Sequence, residues 1–557
     1  IGNFTNLIKL NINLNNIQNL DFEALPNLSW VDCITNNAIN INLSGLNNWG
    51  YLNCGNNPLT TIDFSETFIL YRFHGGGCNF TSFNLNGLIY LDVFDCNNNS
   101  VTSINNINTC VNLRQLYVDI NQLSSINLSN LGKLEYFSGS QNLFSIIDFS
   151  NNPLLNTLYA NNLPNLTSLF IKNGKDELYL NFSGCNNLLY ICSDDSQNIT
   201  VQNKINQYGY TNCHTNSYCS FVPGGQFFSI EGKTKFDSNS NGCDILDLDY
   251  KNLYFNQSIN GNLVGAYISD STGNYFIPVQ AGNHTITPNL ENPSYFNISP
   301  ASFTVDFPTQ ASPFNQDFCV TANGVKSDVE VMVMPTTPAR PGFDAKYKIV
   351  YNNKGNQIEN GTVVFTFLNQ DALDIVLSNP IYNSDNNDGF ERSFSWNYSN
   401  LQPFESREIE VVLNLNSPIE TPALNGGDLL NLNANITPLI SDEYINDNEM
   451  SLRQIIVNSY DPNDKTCLQG TTITQSEVGK YVHYVIRFEN TGTFPAENIV
   501  VKDMIDLTKF DITTLVPLKS SHDFFTRISG NKVEFIFENI NLDFNNATND
   551  GYVVFKI

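Results

Sequence analysis

The sequence predicts a mainly β protein, in which a solenoid of leucine-rich repeats is followed by three tandem β-sandwich domains. Two observations predict this fold class. In the first third of the chain, apolar residues return every 21 or 22 positions. Downstream, apolar and polar residues alternate in short runs that are separated by Gly, Pro and Asn. A fixed period indicates a solenoid, and many short alternating runs indicate β-sandwiches.

Each repeat begins with leucine or with a residue that replaces it. Counted from that position, apolar residues recur at +3 and +5 and Asn or Cys at +8, which is the L-x-x-L-x-L-x-x-N/C pattern. One repeat cannot bury its apolar face alone, so neighbouring repeats must stack. The +8 amide is expected to turn inward and pair with buried backbone groups of the turn. The leading residues are Leu7, Leu28, Trp49, Leu70, Leu91, Leu113, Leu134 and Leu155.

The same offsets predict a candidate ligand-binding face. Side chains at +2, +4 and +6 should point outward, because those at +3 and +5 point inward. Exposed Tyr and Trp among Asp, Asn and Arg suit recognition of sugars or of a protein partner. Solenoid faces also carry such residues without a ligand, so both interpretations stay open. The predicted face consists of Trp30, Asp32, Tyr51, Asn53, Arg72, His74, Asp95, Tyr117, Asp119, Tyr136 and Tyr159.

Composition excludes some partners. Lys and Arg number 27 against 54 Asp and Glu, so the formal net charge is −27. This charge disfavours nucleic acid and anionic membranes, because both require a basic face. No apolar run approaches the roughly 18 residues of a membrane helix, so we expect no membrane insertion. The chain opens within a repeat and stops within a strand-like run, and we therefore expect both ends to be truncated.

The predicted domains follow the change in pattern. The solenoid covers residues 1–183, and its C-terminal cap covers 184–221. Within the cap, Val201, Ile205 and Tyr208 predict one amphipathic helix, with Thr200 as a possible N-cap and Gly209 after its last turn. The three sandwiches are predicted at 222–325, 326–457 and 458–557, and the second of them is predicted to be Ig-like.

Several phrases resemble those of known surface proteins. The first sandwich carries FDSNSNGCD at 236–244, DSTGNY at 270–275 and AGNHTI at 281–286. It resembles the SdrD B-like (prealbumin-like) modules, in which a D-x-N-x-N/D-G loop binds calcium. The last block carries DPNDK at 461–465 and FENTG at 488–492. It looks like the repeat domain that precedes the sorting tail of many Bacteroidota surface proteins.

The order of these modules is similar to that of large leucine-rich-repeat proteins of Flavobacterium-like bacteria. The resemblance implies export as folded cargo of the type 9 secretion system. It also implies display at the cell surface, on the outer face of the outer membrane. The implied partners are the type 9 translocon and its cargo shuttle. The C-terminal sorting domain that this machinery reads is expected beyond residue 557.

The loop at 237–247 has the spacing of a structural calcium site. Asp237, Asn239 and Asn241 alternate, so a turning loop would direct their oxygens to one point, and the following glycine permits the sharp turn. Asp247, or Asp244 as the alternative, would complete the shell together with the backbone carbonyl of Cys243. Turns rich in Asp, Asn and Gly also occur without metal.

The chain has twelve cysteines, and their placement is mixed. Cys33, Cys54 and Cys96 occupy the inward +5 position, and Cys78 takes an Asn position, so we expect packed thiols there. Cys243 and Cys319 lie at opposite ends of the first sandwich and are predicted to form a disulfide in an oxidising compartment. The pairing of a second cluster stays open. That cluster consists of Cys185, Cys192, Cys213 and Cys219.

The remaining motifs favour binding over catalysis. The five histidines are dispersed, and no HExxH, GxSxG, P-loop or GxGxxG phrase is present in the right context. Asp270-Ser271-Thr272 resembles the phrase that Bacteroidota O-glycosylate, which makes Ser271 a candidate for modification. We therefore expect a non-enzymatic, adhesin-like surface protein that binds an extracellular glycan or protein. The alternatives are a carbohydrate-binding accessory factor or subunit of a polysaccharide-degrading system, and a purely structural stalk.

Overall fold

A computed structural model describes residues 4–46, 50–67, 69–368, 372–438, 441–458, 463–475, 477–545 and 548–557. The chain forms two compact units. The first comprises Ile1–Phe228 with Pro278–Ala281, and the second comprises Ser229–Ile277 with Gly282–Ile557. Trp49, which was predicted to lead the third repeat, lies outside the described residues. So do residues 459–462, which include the first two of the DPNDK phrase.

The first unit is a solenoid of three-residue strands, and the predicted repeat architecture is confirmed. Its described residues also form the 3-10 turn Ile107–Thr109 and the α-helix α1 (Asn198–Tyr208). The strands are β1 (Lys9–Asn11), β2 (Asn19–Asp21), β3 (Trp30–Asp32), β4 (Asn40–Asn42), β5 (Tyr51–Asn53), β6 (Arg72–His74), β7 (Ser82–Asn84), β8 (Val93–Asp95), β9 (Ser103–Asn105), β10 (Gln115–Tyr117), β11 (Tyr136–Ser138), β12 (Ile146–Asp148), β13 (Thr157–Tyr159), β14 (Ser168–Phe170), β15 (Tyr179–Asn181), β16 (Tyr190–Cys192) and β17 (His214–Asn216).

Nine of these strands form one parallel sheet, in the order β1-β3-β5-β6-β8-β10-β11-β13-β15. Smaller parallel sheets join β2 to β4, β7 to β9, and β12 to β14, β16 and β17. In the main sheet the inward +3 residues lie directly opposite one another, as in Leu116 and Phe137, and both of these are fully buried. The predicted stacking of neighbouring repeats is therefore present.

The predicted amide ladder is also present inside the solenoid. Asn142 is almost fully buried and donates from Nδ2 to the carbonyls of Val118, at 2.8 Å, and Gly139, at 3.1 Å. Its Oδ1 accepts from the Leu123 amide at 3.0 Å. The side chain therefore satisfies backbone groups of two neighbouring repeats at once. Asn36, Asn57, Asn99 and Asn121 repeat this pattern.

The cap helix begins slightly before its predicted start. The Asn198 amide donates to the carbonyl of Asp194, which allows α1 to begin two residues before Thr200. Val201 and Ile205 are buried, as the periodicity predicts. Gly209 ends the helix in the left-handed region, at φ 75°, where glycine carries no steric penalty.

Where it is described, the second unit consists mainly of antiparallel sheet, and it also contains the 3-10 turn Ile512–Thr514. Its first strands are β18 (Phe228–Asp237), β19 (Leu248–Asp249), β20 (Tyr254–Ile259), β21 (Asn262–Ile268), β22 (Asn274–Val279), β23 (Gly282–Asn289), β24 (Phe296–Ser299), β25 (Phe303–Phe307), β26 (Phe314–Asn315) and β27 (Phe318–Ala322). The middle strands are β28 (Val329–Pro335), β29 (Asp344–Asn353), β30 (Glu359–Leu368), β31 (Leu373–Asn379), β32 (Ser384–Asn387), β33 (Glu391–Leu401), β34 (Ser406–Leu415), β35 (Leu429–Ile436) and β36 (Glu449–Ile455). The last strands are β37 (Lys465–Cys467), β38 (His483–Glu489), β39 (Ile499–Met504), β40 (Val516–Ser520), β41 (Phe525–Ser529), β42 (Lys532–Phe537) and β43 (Asp550–Lys556).

The middle block pairs its strands within itself. Its two sheets have the orders β28-β29-β34-β31 and β32-β33-β30-β35-β36. Residues of both sheets share one hydrophobic cluster, in which Tyr347, Phe365 and Val411 are buried. A further sheet, β37-β38-β43-β40, belongs to the last block.

The sheets do not follow the predicted division into three separate sandwiches. A seven-stranded sheet has the order β25-β23-β20-β21-β41-β42-β39 and so contains strands of both the first and the last block. Ala266 of β21 lies opposite Ile528 of β41. The physical reason is that β21 would otherwise expose unpaired backbone groups along a sheet edge, and β41 covers that edge. Alternation along a strand reveals its faces but not its partner.

Among the described residues, no helix has the length and apolar character that crossing a bilayer requires.

Candidate ligand-binding face of the solenoid

The outward face of the nine-stranded sheet carries two parallel rows of side chains. The strand register aligns Trp30, Tyr51 and Arg72 in the +2 row. The +4 row places Asn53 next to His74. Because parallel strands lie about 4.8 Å apart, side chains of one row contact their neighbours along the sheet. Ten of the eleven predicted face residues lie in these two rows; Asp119 follows β10.

Aromatic rings form a first cluster at β3, β5 and β6. The rings of Trp30 and Tyr51 stack with 5.2 Å between their centroids and 10° between their planes. The His74 ring lies 5.7 Å from that of Tyr51, at 49°. Trp30, Tyr51 and His74 are all half-buried. Two rings in parallel contact cover part of each other's faces, so this cluster presents mainly ring edges and polar tips to a ligand.

A second aromatic cluster lies at β10, β11 and β13. The centroids of Tyr117 and Tyr136 are 4.7 Å apart, and those of Tyr136 and Tyr159 are 6.0 Å apart. Their planes are tilted by 36° and 53°. The Tyr117 hydroxyl donates to Gln115 Oε1 at 3.2 Å. Burial raises the pKa of both Tyr117 and Tyr136, so their hydroxyls stay protonated and can donate hydrogen bonds.

Carboxylates lie beside these rings. Asp95 Oδ2 lies 3.4 Å from His74 Nδ1. Asp119 Oδ1 accepts from Ser138 Oγ at 2.8 Å and from the Ser140 amide at 2.9 Å, so its side chain is fixed in place. One Asp32 oxygen is buried and accepts no hydrogen bond within the described part of the chain. The face therefore carries negative charge between its aromatic clusters.

An ion cluster that the sequence did not reveal fixes the arginine of the face. Asp92 lies between Arg114, at 2.5 Å, and Arg72, at 3.5 Å. Burial alone would raise the pKa of Asp92, but hydrogen bonds from Arg114 and Tyr71 and the two positive charges outweigh burial and lower it. Arg72 is thereby held by a carboxylate of its own protein. Asp92 sits at +1, an offset that the predicted face did not include.

The predicted calcium loop is tied by hydrogen bonds to its own backbone. Asp237 Oδ2 accepts from the Gly242 amide at 2.9 Å, and Gly242 has a φ of 95°. Asn239 Oδ1 and Asp237 Oδ1 both accept from the Asn241 amide. Asp247 Oδ2 accepts from the Asp244 amide at 2.7 Å. The Asp237, Asn239 and Asn241 segment thus turns as predicted, and Asp247 closes a separate turn after it.

The structure contains two disulfides. Cys243 is joined to Cys319, with 5.6 Å between their Cα atoms. Cys192 is joined to Cys219 in the cap of the solenoid, whereas Cys185 and Cys213 are free and buried. The four repeat cysteines expected as packed thiols are buried and free. They are Cys33, Cys54, Cys78 and Cys96.

Ser271 lies in the exposed turn between β21 and β22. Its neighbour Thr272 donates from Oγ1 to Asp270 Oδ1 at 2.8 Å, which fixes the turn.

A family model described as a domain of unknown function (DUF7619) matches residues 461–557. No curated protein matches the sequence. Among solved structures, the chain is similar to the functional domain of InlJ from Listeria monocytogenes, which includes a cysteine ladder. The identity is 17% and the TM-score 0.25, over 58% of this chain and 82% of that one.

Two further similarities have comparable scores. The leucine-rich repeat domain of APL1B is 17% identical with a TM-score of 0.27, over 34% of this chain and 62% of that one. The major pilin subunit BcpA of Bacillus cereus is 11% identical with a TM-score of 0.19, over 57% of this chain and 97% of that one. This chain therefore spans less than two thirds of the APL1B domain.

Proposed function

We propose that this protein is a non-enzymatic, adhesin-like protein of the cell surface, which binds an extracellular ligand through the outward face of its solenoid. One observation carries the proposal. Two aromatic clusters lie on one sheet face. Trp30 stacks on Tyr51 in the first, and Tyr136 lies against Tyr117 and Tyr159 in the second. Half-buried aromatic residues held by their neighbours lose little side-chain freedom on binding, which suits them to recognition.

The chemistry of the face favours a protein ligand with a basic surface. The stacked faces of Trp30 and Tyr51 leave less area for stacking on a sugar ring, whereas ring edges and tyrosine hydroxyls can contact protein side chains. Arg72 is already paired with Asp92, so the negative charges of Asp32, beside the first cluster, and of Asp95, between the two clusters, dominate this part of the face. Lysine or arginine side chains of a partner would complement them.

We further propose export by the type 9 secretion system, with its translocon and cargo shuttle as partners, and display on the outer face of the outer membrane. The resemblance in module order supports this route. The disulfides Cys243–Cys319 and Cys192–Cys219 suit an oxidising compartment. We also propose a structural calcium ion at the Asp237 loop, which its turning backbone and oxygen side chains support.

A binding assay on the full chain tests the proposed function. Wild type and the variants Tyr51→Ala and Tyr136→Ala would be screened against arrays of extracellular proteins and of glycans, and hits would be measured by biolayer interferometry. We expect a basic protein ligand whose affinity falls at least tenfold in both variants, because they remove ring contacts in each cluster. Tyr90→Ala is the matched control, since Tyr90 is exposed but lies outside both rows.

Two outcomes would contradict the proposal. Equal binding by wild type and both face variants would place the ligand elsewhere. Binding of glycans alone, with loss in the same variants, would favour the carbohydrate-binding accessory role.

A further inference from the structure

A cluster of three carboxylates lies in the middle block of the second unit, far from the Asp237 loop in sequence. Asp328 directly precedes β28, and Asp442 and Asp447 lie between β35 and β36. Ser327 and Asp442 form an isolated β-bridge that brings the two segments together. One side-chain oxygen from each of the three aspartates lies within 4.8 Å of the others.

Asp442 is the ordered centre of this cluster. Its Oδ2 accepts from the Val329 amide at 2.9 Å and from Asn448 Nδ2 at 3.1 Å, and its Oδ1 accepts from the Tyr444 amide at 2.8 Å. These hydrogen bonds link the start of β28 to the segment before β36. A carboxylate has about four acceptor sites, so the side chain retains acceptor capacity.

Asp328 gives an independent reason to expect a ligand at this cluster. Its side chain is fully buried, and neither oxygen accepts a hydrogen bond of ordinary geometry within the described part of the chain. The Tyr295 hydroxyl lies close enough to help lower the pKa of Asp328, without such a bond. A buried carboxylate without a partner is strongly disfavoured. Three oxygens of neighbouring residues share this condition: Asp447 Oδ1, Asn448 Oδ1 and Ser327 Oγ.

The two nearby lysines neutralise this group of carboxylates only in part. Lys556 Nζ lies 2.5 Å from Glu330 and 2.9 Å from Glu291. Lys354 Nζ lies 3.0 Å from Glu291 and 3.1 Å from Asp447 Oδ2. Two ammonium groups thus face two glutamates as well as the three aspartates. The nearby His483 adds no positive charge, because burial lowers its pKa to about 4.

We propose that Asp328, Asp442 and Asp447 bind a calcium ion. The donor atoms are all oxygens, which hard cations prefer, and no cysteine or histidine belongs to the set. Calcium–oxygen distances of about 2.3–2.6 Å place ligands on opposite sides of the ion roughly 4.6–5.2 Å apart. Oxygens that lie within 4.8 Å of one another can therefore all contact one calcium ion. The ion would link the start of β28 to the β35–β36 connection.

Calorimetric titration of the full chain with calcium chloride tests the proposal, after treatment with chelator. The Asp237→Ala variant serves as background, so that the loop at 237–247 does not contribute. We expect this variant to bind one calcium ion and to show a higher melting temperature with calcium.

Adding Asp328→Asn to that background should abolish calcium binding. In the absence of metal, this substitution should not lower the melting temperature, since it removes a buried charge without a partner. Asp374→Asn is the matched control, because Asp374 is an exposed acid of the same block, and calcium binding should persist in it. Absence of binding in the Asp237→Ala background would overturn the proposal, and so would equal binding with and without Asp328→Asn.

Discussion

Leu116 lies directly opposite Phe137 on the neighbouring strand, and both side chains are completely buried between repeats. Neither repeat provides this environment alone. The contact links strands that are 21 residues apart in sequence, and the same pairing recurs from Leu10 to Leu158 along the sheet. Loss of one inward side chain should therefore affect the neighbouring repeats as well.

Leu116→Ala should lower the free energy of unfolding by about 2–5 kcal/mol, because it leaves a cavity in a fully buried layer. Chemical denaturation followed by circular dichroism measures this change. Gln115→Ala is the control, since Gln115 lies next to it on the outward face, and its effect should stay within roughly 0.5 kcal/mol. Similar losses in both variants would show that the inward and outward assignment is wrong.

Asn142→Ala should destabilise the solenoid by about 2 kcal/mol or more. The substitution leaves the Gly139 carbonyl and the Leu123 amide without their side-chain partner, and each buried unpaired group costs about 1–3 kcal/mol. The Val118 carbonyl keeps a donor, Nδ2 of Asn121. The same unfolding measurement applies. Asn151→Ala changes an exposed asparagine and should have little effect, so a large loss there would argue against the amide ladder as the cause.

Metal-free protein should become less stable as the pH rises from about 6.5 to about 8. Burial raises the pKa of Asp328 to about 7 and that of Asp447 to about 8, from an ordinary value of 3.8. In this window the folded state holds more protons than the unfolded chain, so stability falls with increasing pH, by an amount on the order of 2 kcal/mol. Urea unfolding with chelator present measures it. The charged or titratable groups that face this pair are Asp442, Tyr295, Glu330, Lys354 and Lys556.

Two other groups bear on this pH dependence. His483 has a pKa of about 4 in the folded state, against an ordinary value of 6.5. Its contribution to the pH dependence of stability has the opposite sign, and it acts mainly between about pH 4 and 6.5, below this window. Burial raises the pKa of Glu177 to about 7, which adds a contribution of the same sign from the solenoid. The double variant Asp328→Asn, Asp447→Asn should therefore retain only a small slope. An unchanged slope in that variant would contradict the assignment.

Replacing Cys243 and Cys319 by serine should lower the free energy of unfolding by about 4 kcal/mol. The disulfide closes a loop with a sequence separation of 76, and its loss frees the unfolded chain. Scanning calorimetry measures the shift in melting temperature. Cys467→Ser changes a half-buried free thiol of the same unit and serves as control. Equal melting temperatures of the wild type and the variant without Cys243 and Cys319 would mean that the crosslink does not form in the purified chain.

The sequence predicted the features that depend on local periodicity. It did not predict those that depend on contacts between segments far apart in the chain. A spacing of 21 residues was enough to point Leu116 inward and Tyr117 outward. It could not predict that Trp30 and Tyr51 would stack on each other, because ring orientation depends on packing rather than register. Asp328 and Asp447 gave no signal at all, since only the bridge between Ser327 and Asp442 brings their segments together.

The pairing of Ala266 with Ile528 has a consequence for how the chain acquires its structure. Synthesis proceeds from the N-terminus, so β20 and β21 are made long before β41, the strand that covers the open edge of β21. That edge stays available to other chains until residues 525–529 arrive, and the whole middle block must be accommodated before the sheet is complete. A chaperone that shields an exposed strand during this interval would protect the protein from aggregation. A fragment that ends before β41 would carry the same open edge permanently.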